Sequence, residues 1–197
     1  MSTLKTTNIT HGSNSGTANM VLASDGKVTI PEKKLYCPGA IVQIQSTTKT
    51  DVFTSQSTSY TDITGLSVAI TPTASTSKVF VMVNFSAANT DGDRWHQYQL
   101  VRDSTAICIG DAEGSRGRAS VHAQESDDNA LPNACGNYSI HFLDSPNTTS
   151  ATTYKLQGRT QGTSSPYFLI NRTNNNNDDD SGSRVASTIT VWEVAGT

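Results

Sequence analysis

Four groups of residues carry the side-chain types from which a site could be built. The densest is Asn174-Asn175-Asn176-Asn177-Asp178-Asp179-Asp180, followed by Ser181-Gly182. Calcium takes about six to eight oxygen ligands, and Asp178, Asp179 and Asp180 are the candidate Ca²⁺ ligands. The run lacks the spaced acidic pattern and closing glutamate of a helix-loop-helix calcium site, so a solvated loop is the plainer reading. Asp91-Gly92-Asp93 is a second, weaker oxygen cluster. The carboxyls of Glu113, Glu125, Asp127, Asp128 and Asp144 could supply the pair that glycoside hydrolysis needs. Most of them stand in polar runs where solvated carboxylates are the rule. Arg116 and Arg118, with Gly114 and Gly117, form a flexible basic loop. Together with Asp127 and Asp128 these arginines are the candidate surface-loop contacts to an acidic patch or a glycan.

The histidines do not complete a catalytic set. His11, His96, His122 and His141 are scattered, and the last three fall on predicted strands. Neither a Gly-x-Ser-x-Gly elbow nor a His-Glu-x-x-His helix occurs. The expectation is a protein that is not an enzyme and uses no resident cofactor. Cys37, Cys108 and Cys135 are odd in number and far apart, with no Cys-x-x-Cys pair. They read as reduced, mostly buried thiols.

Composition points to the elements that must position these groups. Of the 197 residues, 35% are hydrophobic and 16% charged, with the balance rich in Ser, Thr, Asn and Gly. The formal net charge is -3, and Lys and Arg do not cluster. That argues against nucleic acid as a partner. No apolar run approaches the ~20 residues of a membrane span, and no apolar stretch behind Met1 suggests a signal peptide.

Val, Ile and Thr recur in short alternating runs between Gly, Pro, Asn and Asp turns, which predicts strands. No segment shows helical spacing over three turns. Leu66, Val68 and Ile70 face one way, with Ser67 and Ala69 opposite. The run from Lys78 to Phe85 is the most apolar and is predicted to be central. Trp95 to Asp103 is expected to pair with Ala106 to Gly110. Further strands are predicted at Ala119 to Ala123, Tyr138 to Leu143, Thr153 to Gln157, Tyr167 to Asn171 and Ser187 to Val194.

Residues 1–36 differ from the rest. Leu4 to Ile9, Asn19 to Leu22 and Val28 to Ile30 are short β-prone stretches, the last two joined by Asp25-Gly26, a tight-turn signal. This arm is too small to bury a core alone. It must dock elsewhere, and Leu4, Ile9, Met20, Val21 and Leu22 are its candidate anchoring residues. Pro31 and Pro38-Gly39 mark the boundary with a domain spanning residues 37–197.

Three segments carry a family resemblance. The first is Pro38-Gly39-Ala40-Ile41-Val42-Gln43, with Phe53, Tyr60-Thr61-Asp62-Ile63 and Leu66 to Pro72. The second is Leu100-Val101-Arg102-Asp103-Ser104 with Ile109-Gly110-Asp111. The third is Phe142-Leu143-Asp144-Ser145-Pro146, with Thr153 to Gln157 and Ser187 to Val194. In order and spacing they resemble the C-terminal modules of tail-fibre and other virion structural proteins of marine, cyanophage-like tailed phages. The resemblance implies an all-β, antiparallel jelly roll of the tumour-necrosis-factor-like type that assembles as a homotrimer. It further implies location in the virion as a short fibre, head fibre or capsid decoration protein. Other capsid or tail proteins would be its partners, and a host-surface glycan a further candidate. In a trimer, three copies of the Asp178–Asp180 run could meet near the axis around a cation. Tyr98, Phe80, Phe85, Phe142, Tyr154 and Trp192 are the candidates for core or axial packing. A lectin-like glycan-binding module is the alternative on the same sandwich.

Overall fold

The computed structural model describes residues 6–9, 20–30, 37–90, 94–124, 133–162 and 167–196. These residues form antiparallel strands and no helix. Near the N-terminus, β1 (Asn8–Ile9), β2 (Met20–Leu22) and β3 (Val28–Thr29) make a small sheet in that order. Val21 pairs with Thr29 and Leu22 with Val28. Gly26, at φ +83°, supplies the left-handed turn that brings β3 back. Ile9 is exposed, while Met20, Val21 and Leu22 are half-buried. Leu4 lies outside the described residues.

The remaining strands build two sheets face to face. One is centred on β7 (Lys78–Asn89), the longest strand. It pairs on one side with β11 (Gly136–Asp144) and on the other with β14 (Ser187–Val194). β4 (Ile41–Lys49) flanks β14, while β13 (Phe168–Ile170) and β5 (Phe53–Ser55) extend from the far end of β7. The other sheet runs β10 (Val121–Gln124), β8 (Trp95–Arg102), β12 (Thr152–Thr160), β6 (Thr61–Ile70), with β9 (Thr105–Ile107) beside β8. The β8–β9 hairpin turns at Asp103-Ser104, one residue earlier than the sequence suggests. Asp103 takes a left-handed φ of 52° there, a conformation that Asp tolerates better than most residues.

Period-two alternation fixes what each sheet buries. On β6, Ile63, Leu66, Val68 and Ile70 point inward; on β7, Val79, Val81, Val83 and Phe85 do so. Leu100, Tyr154, Leu156, Ile189 and Val191 complete the layer between them. At one end an aromatic cluster fills the space. Phe85 meets Tyr98 edge-on at 4.7 Å, and Tyr98 meets Phe168 at 5.8 Å and 88°. Such pairs add about 0.5–1.5 kcal/mol each beyond the area they bury.

Of the six aromatic residues expected in core or axial packing, Phe85, Tyr98 and Tyr154 are buried, and Phe142 packs against the core from an edge strand. Phe80 and Trp192 lie outside the core, on the outer face of the β7 sheet, because they occupy the outward phase of their strands. The expectation of mostly buried thiols also needs correction. Cys37 is exposed, and Cys108 and Cys135 are half-buried. They lie beyond strand ends, where burial is partial. Partial burial still pushes the Cys108 thiol above its ordinary pKa.

The aromatic cluster depends on one residue without a side chain. Gly158 is in the inward phase of β12, and a Cβ there would lie 2.8 Å from Phe168 and 3.1 Å from Tyr98. Gly158→Ala is expected to cost about 1–3 kcal/mol through overpacking, measured as a lowered urea midpoint. A midpoint unchanged from the parent would mean the rings can move aside.

Candidate functional site

The outward residues of the β8 sheet line up into a polar platform. Register places His122 opposite Gln97 and Gln97 opposite Arg159, a row across β10, β8 and β12. Tyr60, just before β6, extends the row, and Trp95 stands two residues from Gln97 on the same face. The Arg159 guanidinium lies 4.9 Å from the Tyr60 ring centroid and 5.1 Å from that of Trp95. Trp95 in turn meets His122 at 5.8 Å. Flat groups thus stack along the platform, each cation–π contact stabilising it by about 0.5–1 kcal/mol.

Hydrogen bonding fixes the orientation of these groups. Arg159 donates from Nε and Nη2 to Gln97 Oε1, at 3.0 and 2.6 Å. A guanidinium can only donate, so the amide oxygen faces Arg159 and the amide nitrogen faces His122. That nitrogen lies 3.0 Å from His122 Nδ1, which must therefore accept. The neutral ring then carries its proton on Nε2, leaving that atom as a donor. Gln97 is 6% exposed, so this positioning group is itself buried.

Above the platform runs the loop between β9 and β10. The sequence suggests that it is flexible; the structure shows it tied down. Arg118 Nε donates to the Gly110 carbonyl at 2.6 Å, and Tyr60 Oη donates to the Arg118 carbonyl at 2.8 Å. Ser120 N reaches the Tyr98 carbonyl at 2.9 Å. Gly117 lies so close over the platform that a Cβ would come within 2.5 Å of Arg159 Nη2. Loop and platform enclose an open cleft of about 460 Å³, lined by Trp95, Gln97, Asp111, Arg116, Arg118, His122 and Arg159 among others. Arg116 pairs loosely with Glu113 at 3.6 Å, both well exposed. Among the described residues, neither Arg118 nor Arg159 meets a carboxylate. Burial raises the Tyr60 hydroxyl above its ordinary pKa, and the neighbouring Arg159 offsets only part of that.

The other predicted groups are dispersed. Asp144 is buried and bound by Arg102 Nη1 at 2.8 Å to both carboxylate oxygens, with Tyr154 Oη donating at 2.7 Å. Glu113 is on the exposed loop facing Arg116. Asp178, Asp179 and Asp180 are exposed on their loop. Hydrogen bonds from Ser181, side chain first and then backbone, hold the Asp179 carboxyl below its usual range. Arg184 reaches into the same loop to Asn176 Oδ1 at 2.6 Å. Among the described residues, no three His, Cys, Asp or Glu side chains are grouped to hold a metal ion. Glu125, Asp127, Asp128, Asp91, Asp93 and His11 lie outside the described residues.

The sequence pointed to two of the three arginines in the cleft, Arg116 and Arg118. It missed Tyr60, Trp95, Gln97 and Arg159, and placed His122 on a strand without a partner. The available signal was the outward phase itself. Trp95-x-Gln97-x-Gln99 and Lys155-x-Gln157-x-Arg159 alternate with buried residues, and large polar or aromatic groups on one exposed face mark more than a solvated surface. No protein-family model matches this chain, and no curated protein is similar to it.

Proposed function

We propose that this chain is a non-enzymatic structural module of a tailed-phage virion, a homotrimer of tumour-necrosis-factor-like jelly rolls. It serves as a short fibre, head fibre or capsid decoration attached through residues 1–36. Strand order supports the jelly-roll reading. In chain order within residues 37–197, leaving aside the short β5, β9 and β13, strands fall alternately to the two sheets as β4, β6, β7, β8, then β10, β11, β12, β14. Each sheet therefore joins strands distant in sequence, as a rolled-up hairpin requires.

The observation that carries the assembly is the outer face of the β7 sheet. In register across four strands, Ile44 opposes Trp192, Trp192 opposes Phe80, and Phe80 opposes Leu143. Ile44 is 53% exposed and Leu143 48%. The flanking outward positions are Ser46, Thr190, Met82 and His141, then Thr48, Thr188, Asn84 and Ser139. None is Asp, Glu, Lys or Arg; only Lys78, at one margin, breaks the pattern. An apolar stripe set in an uncharged field offers nothing to an oppositely charged partner. It fits copies of itself, and three such stripes converging on a three-fold axis would close a ring of chains, whereas two packed face to face would close as a dimer.

The test is the solution mass by light scattering. The full chain is expected at three times 21.0 kDa. Ile44→Glu with Leu143→Glu places a buried charge at each contact and is expected to give single chains that keep the parent's circular dichroism. A monomeric parent would remove the trimer and leave the second reading, a glycan-binding module, which the cleft favours.

A further inference from the structure

We infer that the cleft between the β9–β10 loop and the β8 sheet binds an acidic saccharide, a pyranose ring bearing a carboxylate. The inference deepens the glycan-binding reading and does not rest on trimer formation. Three features of the cleft carry it. Its volume of about 460 Å³ lies within the usual range of small-ligand sites, ~300–1,000 Å³. Its cations are arginines, whose planar forks match a carboxylate. Arg118 spends its Nε on the Gly110 carbonyl and Arg159 its Nε and Nη2 on Gln97. The remaining guanidinium N–H groups are left for a ligand, and among the described residues no carboxylate competes for them.

The rest of the lining suits a sugar better than a phosphate chain. Trp95 offers an apolar ring to the C–H face of a pyranose. His122 has a donor on Nε2, set by Gln97, and the Gln97 side chain is held rigidly from both sides. Asp111 lines the same cleft. A carboxylate there accepts hydrogen bonds from vicinal hydroxyls. Gly117 leaves room for the Arg159 guanidinium directly beneath the loop, so the floor and the roof of the cleft are built to fit one another.

The experiment is calorimetric titration of the full chain with trigalacturonate, maltotriose, inorganic phosphate and a short oligothymidylate. Trigalacturonate is expected to bind at least tenfold more tightly than the other three. Arg116→Gln and Arg118→Gln, both at exposed positions, are each expected to weaken it fivefold or more, and Arg116→Gln, which loses only the loose contact to Glu113, should leave the thermal midpoint unchanged. Lys155→Gln removes the same charge from the same sheet face outside the cleft, and should change affinity less than twofold. Equal binding of maltotriose would overturn the carboxylate, and equal binding of phosphate or oligothymidylate would overturn the saccharide. No binding of trigalacturonate, or an equal loss from Lys155→Gln, would overturn the site. A monomeric chain that binds trigalacturonate keeps this inference and removes the trimer; a trimer that binds none does the reverse.

Discussion

Arg102→Leu is expected to lower the unfolding free energy by about 3 kcal/mol, read from urea denaturation at pH 7. The reason lies in what the substitution leaves behind. Asp144 is at the end of β11 with its side chain 7% exposed, and Arg102 closes the site at 26% exposure. One arginine nitrogen spans both carboxylate oxygens at 2.8 Å. Tyr154, fully buried, donates its hydroxyl to the same carboxylate, and burial with that contact raises its pKa far above the ordinary tyrosine value. Removing the arginine strands a charge in the interior, which costs about 3–5 kcal/mol in buried pairs. The partial exposure of Arg102 places the cost at the lower end. Arg102→Leu combined with Asp144→Leu should recover part of the loss, because the charge goes with its partner. A single-variant cost below about 0.5 kcal/mol would put the pair in the class of surface ion pairs and sink the argument.

Acid is expected to weaken the fold well before the carboxylates titrate. His96 is wholly buried, with Nδ1 2.7 Å from Tyr98 Oη. Its Nε2 is buried and has no hydrogen-bond partner among the described residues. Desolvation, with a smaller contribution from His122, lowers its pKa from 6.5 to about 4. The unfolded chain therefore takes up a proton near pH 6.5 that the folded chain refuses until about pH 4. Between those values the unfolded state binds more protons, so stability falls as pH falls. The full shift corresponds to about 3 kcal/mol. Asp62 and Glu193 have carboxyls held below their ordinary values, so their contributions are lost only at lower pH. For Asp62 the main cause is the Lys155 hydrogen bond. For Glu193, burial raises the pKa but donors from Thr73, Gln43 and Ser77 outweigh it. Urea midpoints at pH 7 and pH 4.5 should differ strongly in the parent and much less in His96→Phe. Equal slopes in both would show that His96 is not the titrating group.

The β character of the chain was legible because its strands alternate cleanly. Leu66, Val68 and Ile70 point inward as the pattern requires, and the Lys78 to Phe85 run is central because both its neighbours pair along it. The cleft was less legible. Sequence reasoning looks for charged groups close together in the chain and found Arg116 and Arg118. Arg159 joins them only through cross-strand register, across a separation no local pattern reveals. Phe80 and Trp192 stayed undecided between core and axial packing for a related reason. Large aromatic residues usually lie in a core, and only the phase of their strands shows that these two face outward. The pair Arg102 and Asp144 joins two of the segments that carried the family resemblance, a contact that spacing alone does not reveal.

The outer faces of the two larger sheets carry different features, and inheritance would treat them differently. Every second residue of β8 and β12 supports the shared interior, while its neighbours furnish the cleft. Changes at Trp95, Arg159 or His122 leave the inward phase untouched, so a lineage could revise what the cleft accepts one side chain at a time. In the proposed trimer the stripe from Ile44 to Leu143 would have no such freedom. Each change there would be repeated in every copy it met, and a single misplaced charge would be multiplied by the symmetry of the assembly. On that reading, recognition would be free to drift on one side of this sandwich while self-association was held fixed on the other.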